Sequence, residues 1–145
     1  MPGIVVGIDG SHNASHALEW AMTEAGMRHA DLRVITVNSV IEGYWSRQPV
    51  TMPGDDQKVA EARQLAQTAV AKTAADLGDR QPASVHVIAT NGFPAQALIA
   101  ASQDADLLVV GSRGGGGFSA LALGSVTNQV THHAHCPVVV VPAGR

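Results

Sequence analysis

The stretch VVGSRGGGGFSALALGSV, from Val109 to Val126, decides how the rest of the chain is read. Just ahead of its first glycine, Asp106-Leu107-Leu108-Val109-Val110 has the apolar run of a buried strand. Gly111, Gly114, Gly115, Gly116 and Gly117 follow, then a short apolar turn, then Gly124-Ser125 and a new helical pattern. A strand, a glycine-rich loop and a helix start together suit a phosphate. Glycine lets the backbone approach a ligand closely. The first N–H groups of a helix lack internal partners, and the helix dipole favours an anion there.

Outward from this stretch, the pattern alternates. Ile4-Val5-Val6-Gly7-Ile8 is an unbroken apolar run and predicts a central strand buried on both faces. Asp9-Gly10-Ser11 ends it, with Ser11 a suitable N-cap. Ala14, Ala17, Leu18, Ala21, Met22 and Ala25 fall on one face of a helix. Leu32 to Val37 is a second strand. Asn38 to Asp56 carries Gly43, Pro49, Pro53 and Gly54, has no clear period, and reads as a long loop. A second helix spans Asp56 to Leu77, with Val59, Ala62, Leu65, Ala66, Ala69, Val70 and Leu77 on its apolar side and Gly78 as its C′ residue. Ala83 to Thr90 is a third strand, Asn91-Gly92 a turn, and Pro94 opens a third helix to Ser102. Asp106 to Val110 is the fourth strand. A helix from Ser125 to Ala134 and a strand over Pro137 to Pro142 complete the series. Alternating strands and helices predict an α/β fold: a parallel sheet with helices on both faces, a three-layer α/β/α sandwich.

Composition narrows the function. The 145 residues predict one domain over 1–145, and 46% hydrophobic content suffices for a core. Charged residues make up 14%, and 9 Lys and Arg against 12 Asp and Glu leave a formal net charge of −3. No basic face for nucleic acid is expected. No apolar run approaches a membrane span, and the N-terminus lacks the form of a signal peptide. Cys136 is the single cysteine, so no internal disulfide is available. A cytoplasmic protein, without nucleic-acid or membrane partners, is the expectation.

Gly111, two residues, Gly114, nine residues, Gly124-Ser125 is the G-x2-G-x9-G-S/T spacing, and here the chain resembles the nucleotide-binding branch of the universal stress protein family. The resemblance covers almost the whole chain and implies a five-stranded parallel sheet of order 3-2-1-4-5. In that order the first and fourth strands adjoin at the topological switch point, where an open α/β sheet binds its ligand. The resemblance further implies ATP as the ligand, with AMP or a cyclic nucleotide fitting the same chemistry and Mg²⁺ accompanying it. The implied binding residues are Gly7, Asp9, Val37, Gly111, Arg113, Gly114, Gly124, Ser125, Val126 and Thr127. Gly111 and Gly114 turn N–H groups toward phosphate, and Gly124 permits close approach, its position being one that can require positive φ. Ser125 offers its N–H and hydroxyl, or serves as a plain N-cap. Val126 and Thr127 supply the next N–H groups. Arg113 is either a counter-charge or a solvent-facing side chain. Asp9 either contacts base and sugar, holds Mg²⁺, or caps the first helix. Val37 resembles the backbone contact to adenine. A homodimer joined through strand 137–142 is also implied; four consecutive valines on an edge without charge invite pairing.

Other features carry less. His132, His133, His135 and Cys136 resemble a metal cluster, but neighbours on a helix diverge by about 100° and cannot converge; no metal site is expected. His12 and His16, four apart, lack a third ligand. Trp20, Tyr44 and Trp45 suit the adenine pocket, a partner surface or the core edge equally. No catalytic Ser/His/Asp set and no G-x4-G-K-S/T loop is present, so at most slow ATP hydrolysis is expected. The competing functions are a non-catalytic interaction module without nucleotide and a flavodoxin-like redox protein. The latter needs a phosphate loop after the first strand and aromatics around a flavin; the chain has five aromatics.

Overall fold

The computed structural model describes residues 3–9, 12–39, 42–45, 48–51, 55–112 and 124–142, with side chains described except at 12–14, 42–45 and 48–51. In chain order the elements are β1 (Ile4–Ile8), α1 (His12–Arg28), β2 (Asp31–Ser39), β3 (Glu42–Trp45), β4 (Gln48–Thr51), α2 (Asp56–Leu77), β5 (Ser84–Gly92), α3 (Pro94–Ser102), β6 (Leu107–Gly111), α4 (Ser125–His133) and β7 (Val138–Val141). Five strands form one parallel sheet in the order β5-β2-β1-β6-β7. Counted within that sheet, this is the expected 3-2-1-4-5.

The alternating side chains of the strands divide the core into two layers. Ile4, Val6, Leu32, Val34, Leu107 and Val109 face α1 and α2. Val5, Ile35, Leu108 and Val110 face α3 and α4, where Leu98 and Val130 meet them. The helical period read in α1 is realised: Ala17, Leu18, Ala21, Met22 and Ala25 are all buried. Burying Leu18 and Met22 contributes about 1.5–3 kcal/mol each. Trp20 is half-buried against the same layer, at the edge of the core.

The helix ends follow local chemistry. Asp55 caps α2, its Oδ1 accepting from the N–H groups of Gln57 (2.9 Å) and Lys58 (3.3 Å). Gly78 closes it at φ 59°, with its N–H on the carbonyl of Ala74. Pro94 occupies the first turn of α3.

Three expectations are corrected. The 38–56 segment is not all loop, for β3 and β4 pair as an antiparallel hairpin in it. Four-residue strands are too short to show a period, and Gly43 and Pro49 are depleted in strands. Pro49, opposite Tyr44, is tolerated because a two-stranded ribbon is all edge. Asn91-Gly92 does not turn the chain; β5 runs through both, in register with Asn38 and Ser39. The Asn91 side chain is used across the strands: its Oδ1 accepts from Asn38 Nδ2 at 2.9 Å, and its Nδ2 donates to Asp56 Oδ1 at 3.3 Å. Leu65 is 65% exposed, not buried. On α2 only Ala66 is fully buried, and Ala69, Val70, Ala74 and Leu77 continue a narrow seam that Leu65 lies outside.

The two edges of the sheet differ. On β5, Arg63 of α2 donates through Nη2 to the carbonyl of Ala89 at 3.2 Å. On β7 the residues are Val138 to Val141, paired on one side to β6.

Candidate functional site

A cavity of about 230 Å³ opens at the carboxyl ends of β1, β2 and β6, against the first turns of α3 and α4. It forms where strand order reverses, because β1 leads to α1 on one face while β6 leads to α4 on the other. Its walls come from segments more than a hundred residues apart in the chain. β1 contributes Gly7 and Asp9 just beyond it, β2 contributes Val37, and β6 contributes Gly111. Gly124, Ser125, Val126 and Thr127 form the wall at the start of α4. Eight of the ten residues expected from the sequence therefore lie together. Arg113 and Gly114 lie outside the described residues, as do Ser11, Gly115, Gly116, Gly117 and the side chains of His12, Tyr44 and Trp45. Trp20 is not in the wall.

Each wall has its own local cause. Gly7 makes room for α3. A Cβ there would come within 2.6 Å of Leu98 Cδ1 and 2.9 Å of Cδ2. The absent side chain lets Leu98 pack over the central strand and form part of the cavity wall. Asp9 is exposed at the rim.

Gly124 is the N-cap of α4 at φ −64° and ψ 158°, and as a glycine it makes no side-chain cap hydrogen bond. The expectation that Gly124 can require positive φ is corrected: any residue adopts this backbone, so its small size is what distinguishes it. The N–H groups of Ser125, Val126 and Thr127 begin the helix, where no intrahelical acceptor exists. The dipole adds positive potential there. Gly124 itself is tied back, its N–H donating to Ser112 O at 2.9 Å, while the Ser112 N–H donates to Val141 O at 2.8 Å. Ser125 is exposed, whereas Thr127 is buried and turns its hydroxyl inward to the carbonyl of Gly111 at 2.6 Å.

Five wall residues escaped the sequence reading: Ile8, Ser39, Pro94, Leu98 and Val110. Ser39 lies two residues beyond Val37 and so on the same face of β2. Leu98 lies one helical turn beyond Pro94, on the face that meets the sheet. Ile8 and Val110 adjoin Gly7 and Gly111.

The histidine-rich end of α4 has structural work. His132 Nδ1 is 2.7 Å from the carbonyl of Asn128, and its ring centroid is 6.4 Å from that of His133 at a tilt. The backbone N–H of His135 donates to the buried Ser102 hydroxyl at 2.9 Å. Among the described residues no three His, Cys, Asp or Glu gather as metal ligands. The Cys136 thiol is pushed up from its ordinary value by burial and then by the Asp106 carboxylate. No helix among the described residues is long and apolar enough to cross a membrane.

Comparison with known proteins agrees with the fold. The model of the universal stress protein family matches residues 2–142. A universal stress protein of Mycobacterium tuberculosis is 31% identical over 139 residues, which are 96% of this chain and 47% of that protein. One of Mycolicibacterium smegmatis is 32% identical over 139 residues, with the same coverage of 96% and 47%. The chain thus spans about half the length of these curated relatives. Among solved structures, the universal stress protein UspA from Lactobacillus plantarum superposes with a TM-score of 0.72 at 21% identity, covering 97% of both chains. A universal stress protein in complex with cAMP gives 0.72 at 23%, covering 99% of this chain and 98% of its own. One from Archaeoglobus fulgidus in complex with dAMP gives 0.63 at 24%, covering 97% of both. With a family match over nearly its full length, the chain belongs to the universal stress protein family.

Proposed function

We propose that the cavity binds an adenine nucleotide, ATP first among the candidates, and that the chain acts as a single regulatory domain over 1–145. The observation that carries this is the convergence of Gly7, Asp9, Val37 and Gly111 with the glycine-led start of α4 on one cavity. The neighbours solved with cAMP and dAMP support an adenine ligand. The helix start fits an anion, since it offers donors and a positive dipole end with no acidic residue in its first turn.

The ligand lies across the carboxyl ends of the strands. Phosphates sit at Ser125, Val126 and Thr127, with Arg113 and Gly114 completing that end. The base lies toward Val37, Ser39, Pro94 and Leu98, the more apolar wall. At about 230 Å³ the cavity is smaller than the roughly 300–1,000 Å³ of most ligand pockets. Base and ribose fill it, and the phosphates run out past the exposed Ser125. Asp9, between the two ends, bonds the ribose or holds Mg²⁺, which needs only one or two carboxylates beside the phosphates. Without the metal, a carboxylate near phosphate is repulsive. The residues bind and orient, and hydrolysis, where it occurs, is slow. In the cell the protein is cytoplasmic and pairs as a homodimer through β7.

Calorimetric titration with ATP, with and without Mg²⁺, tests the proposal on protein freed of co-purified ligand. Loss of metal dependence in Asp9→Asn assigns that carboxylate to Mg²⁺. Weaker binding in both conditions assigns it to the nucleoside. Wild-type protein that takes up no adenine nucleotide at millimolar concentration refutes the proposal and favours an interaction module.

A further inference from the structure

We infer that Thr127 is a positioning residue of this site: its hydroxyl holds the start of α4 against the end of β6 and is never itself a phosphate donor. This rests on the nucleotide reading proposed above. Residues 113–123 separate Gly111-Ser112 from Gly124. Two hydrogen bonds join the flanks across that gap, Gly124 N–H to Ser112 O at 2.9 Å and Thr127 Oγ1 to Gly111 O at 2.6 Å. A threonine hydroxyl has one proton. Here it is committed to Gly111, and the side chain is 4% exposed. Phosphate oxygens offer acceptors, so this hydroxyl has nothing left to give them.

What it gives is orientation. α4 is nine residues long, too short to hold its direction alone. Thr127 and Val130 are its buried residues, and Val130 lies nearly a full turn further on. In the first turn Val126 packs against the core, and the polar ties that fix the turn's direction against β6 come from Thr127 and from the Gly124 N–H. Hydrogen bonds from that turn to a phosphate weaken steeply when misaligned. Thr127 thus determines how strongly the site prefers a nucleotide over a nucleoside.

The test compares ATP and adenosine by calorimetric titration on wild type, Thr127→Val and Thr127→Ser. Valine keeps the shape and removes the donor. ATP affinity should fall about tenfold in Thr127→Val, adenosine affinity by less than about twofold, and Thr127→Ser should bind ATP within about threefold of wild type. If Thr127→Val does not fold, Thr127→Ala removes the same hydroxyl and carries the same expectations. Equal losses for both ligands, no rescue by serine, or wild-type ATP affinity in the valine variant each overturn the inference alone. Wild-type protein that binds neither ligand overturns it together with the proposed function.

Discussion

Gly7→Ala sets packing against binding at one atom. The new Cβ would lie 2.6 Å from Leu98 Cδ1, where carbon atoms prefer about 3.5–4.0 Å. Leu98 must retreat by about 1 Å. Val5, Ile35 and Val110 surround it in the core, and the cavity is the space it can enter. For stability the terms nearly offset. Replacing a strand glycine gains roughly 0.5–1 kcal/mol, and burying a methyl gains about 0.8 kcal/mol. Overpacking costs about 1–3 kcal/mol. The net loss should stay below about 2 kcal/mol, a few degrees of Tm in a chain of this size. Binding has no such offset, because the displaced leucine occupies ligand space. ATP affinity should fall at least about tenfold, or about 1.4 kcal/mol. Calorimetric titration and a thermal melt measure the two effects separately. Adding Leu98→Ala should restore part of the affinity, a coupling of at least about 1 kcal/mol. A folded Gly7→Ala protein that binds ATP like wild type, or a double variant weaker than the sum of the singles, refutes the reasoning.

Gly124→Val puts a branched side chain where phosphate should meet the backbone and should lower ATP affinity at least about tenfold. At φ −64° no left-handed backbone strain is added, so stability should change far less than binding; Gly116→Ala is the control by titration. Val140→Lys should shift the protein from dimer to monomer in sedimentation at micromolar concentration. Val140 also packs against the α3/α4 layer, so a melt must show the variant folded; an unchanged sedimentation coefficient would count against pairing through β7. Alkylation of Cys136 by iodoacetamide should keep accelerating with pH beyond the point where free cysteine levels off, because burial and then Asp106 disfavour the thiolate. Asp106→Asn should speed alkylation at mildly alkaline pH, and a profile matching free cysteine would refute the assignment.

The elements legible in the sequence are those whose signal is local. Ala17, Leu18, Ala21, Met22 and Ala25 state a helix face by spacing, and the structure buries all five. β6 with Gly111, and Gly124 with the start of α4, are legible because strand, glycine and helix chemistry change within twenty residues. Leu98 was not legible. Its place in the cavity depends on a missing atom at Gly7, ninety residues earlier, and no local pattern records that. Asn91 was misread because its side chain can close a turn locally or bridge strands, and only the neighbouring Asn38 decides. Leu65 was misassigned because α2 lies at the margin of the sheet, where a narrow seam suffices. The hydroxyl of Thr127 was hidden for a related reason: its partner Gly111 is sixteen residues away and was itself read as a ligand contact.

The unequal edges of the sheet bear on how large an assembly can become. A strand edge is a valence for ladder growth. Were β5 and β7 equally receptive, each added chain would present a fresh edge, and growth would continue as a fibre. Arg63 places a guanidinium on β5, bonded to Ala89, and a charge on an edge strand discourages a second ladder. A sheet guarded in this way on β5 would be receptive at β7 alone, which is the pairing proposed above. If two copies meet through β7 as proposed, they consume each other's valence, and growth would end at two.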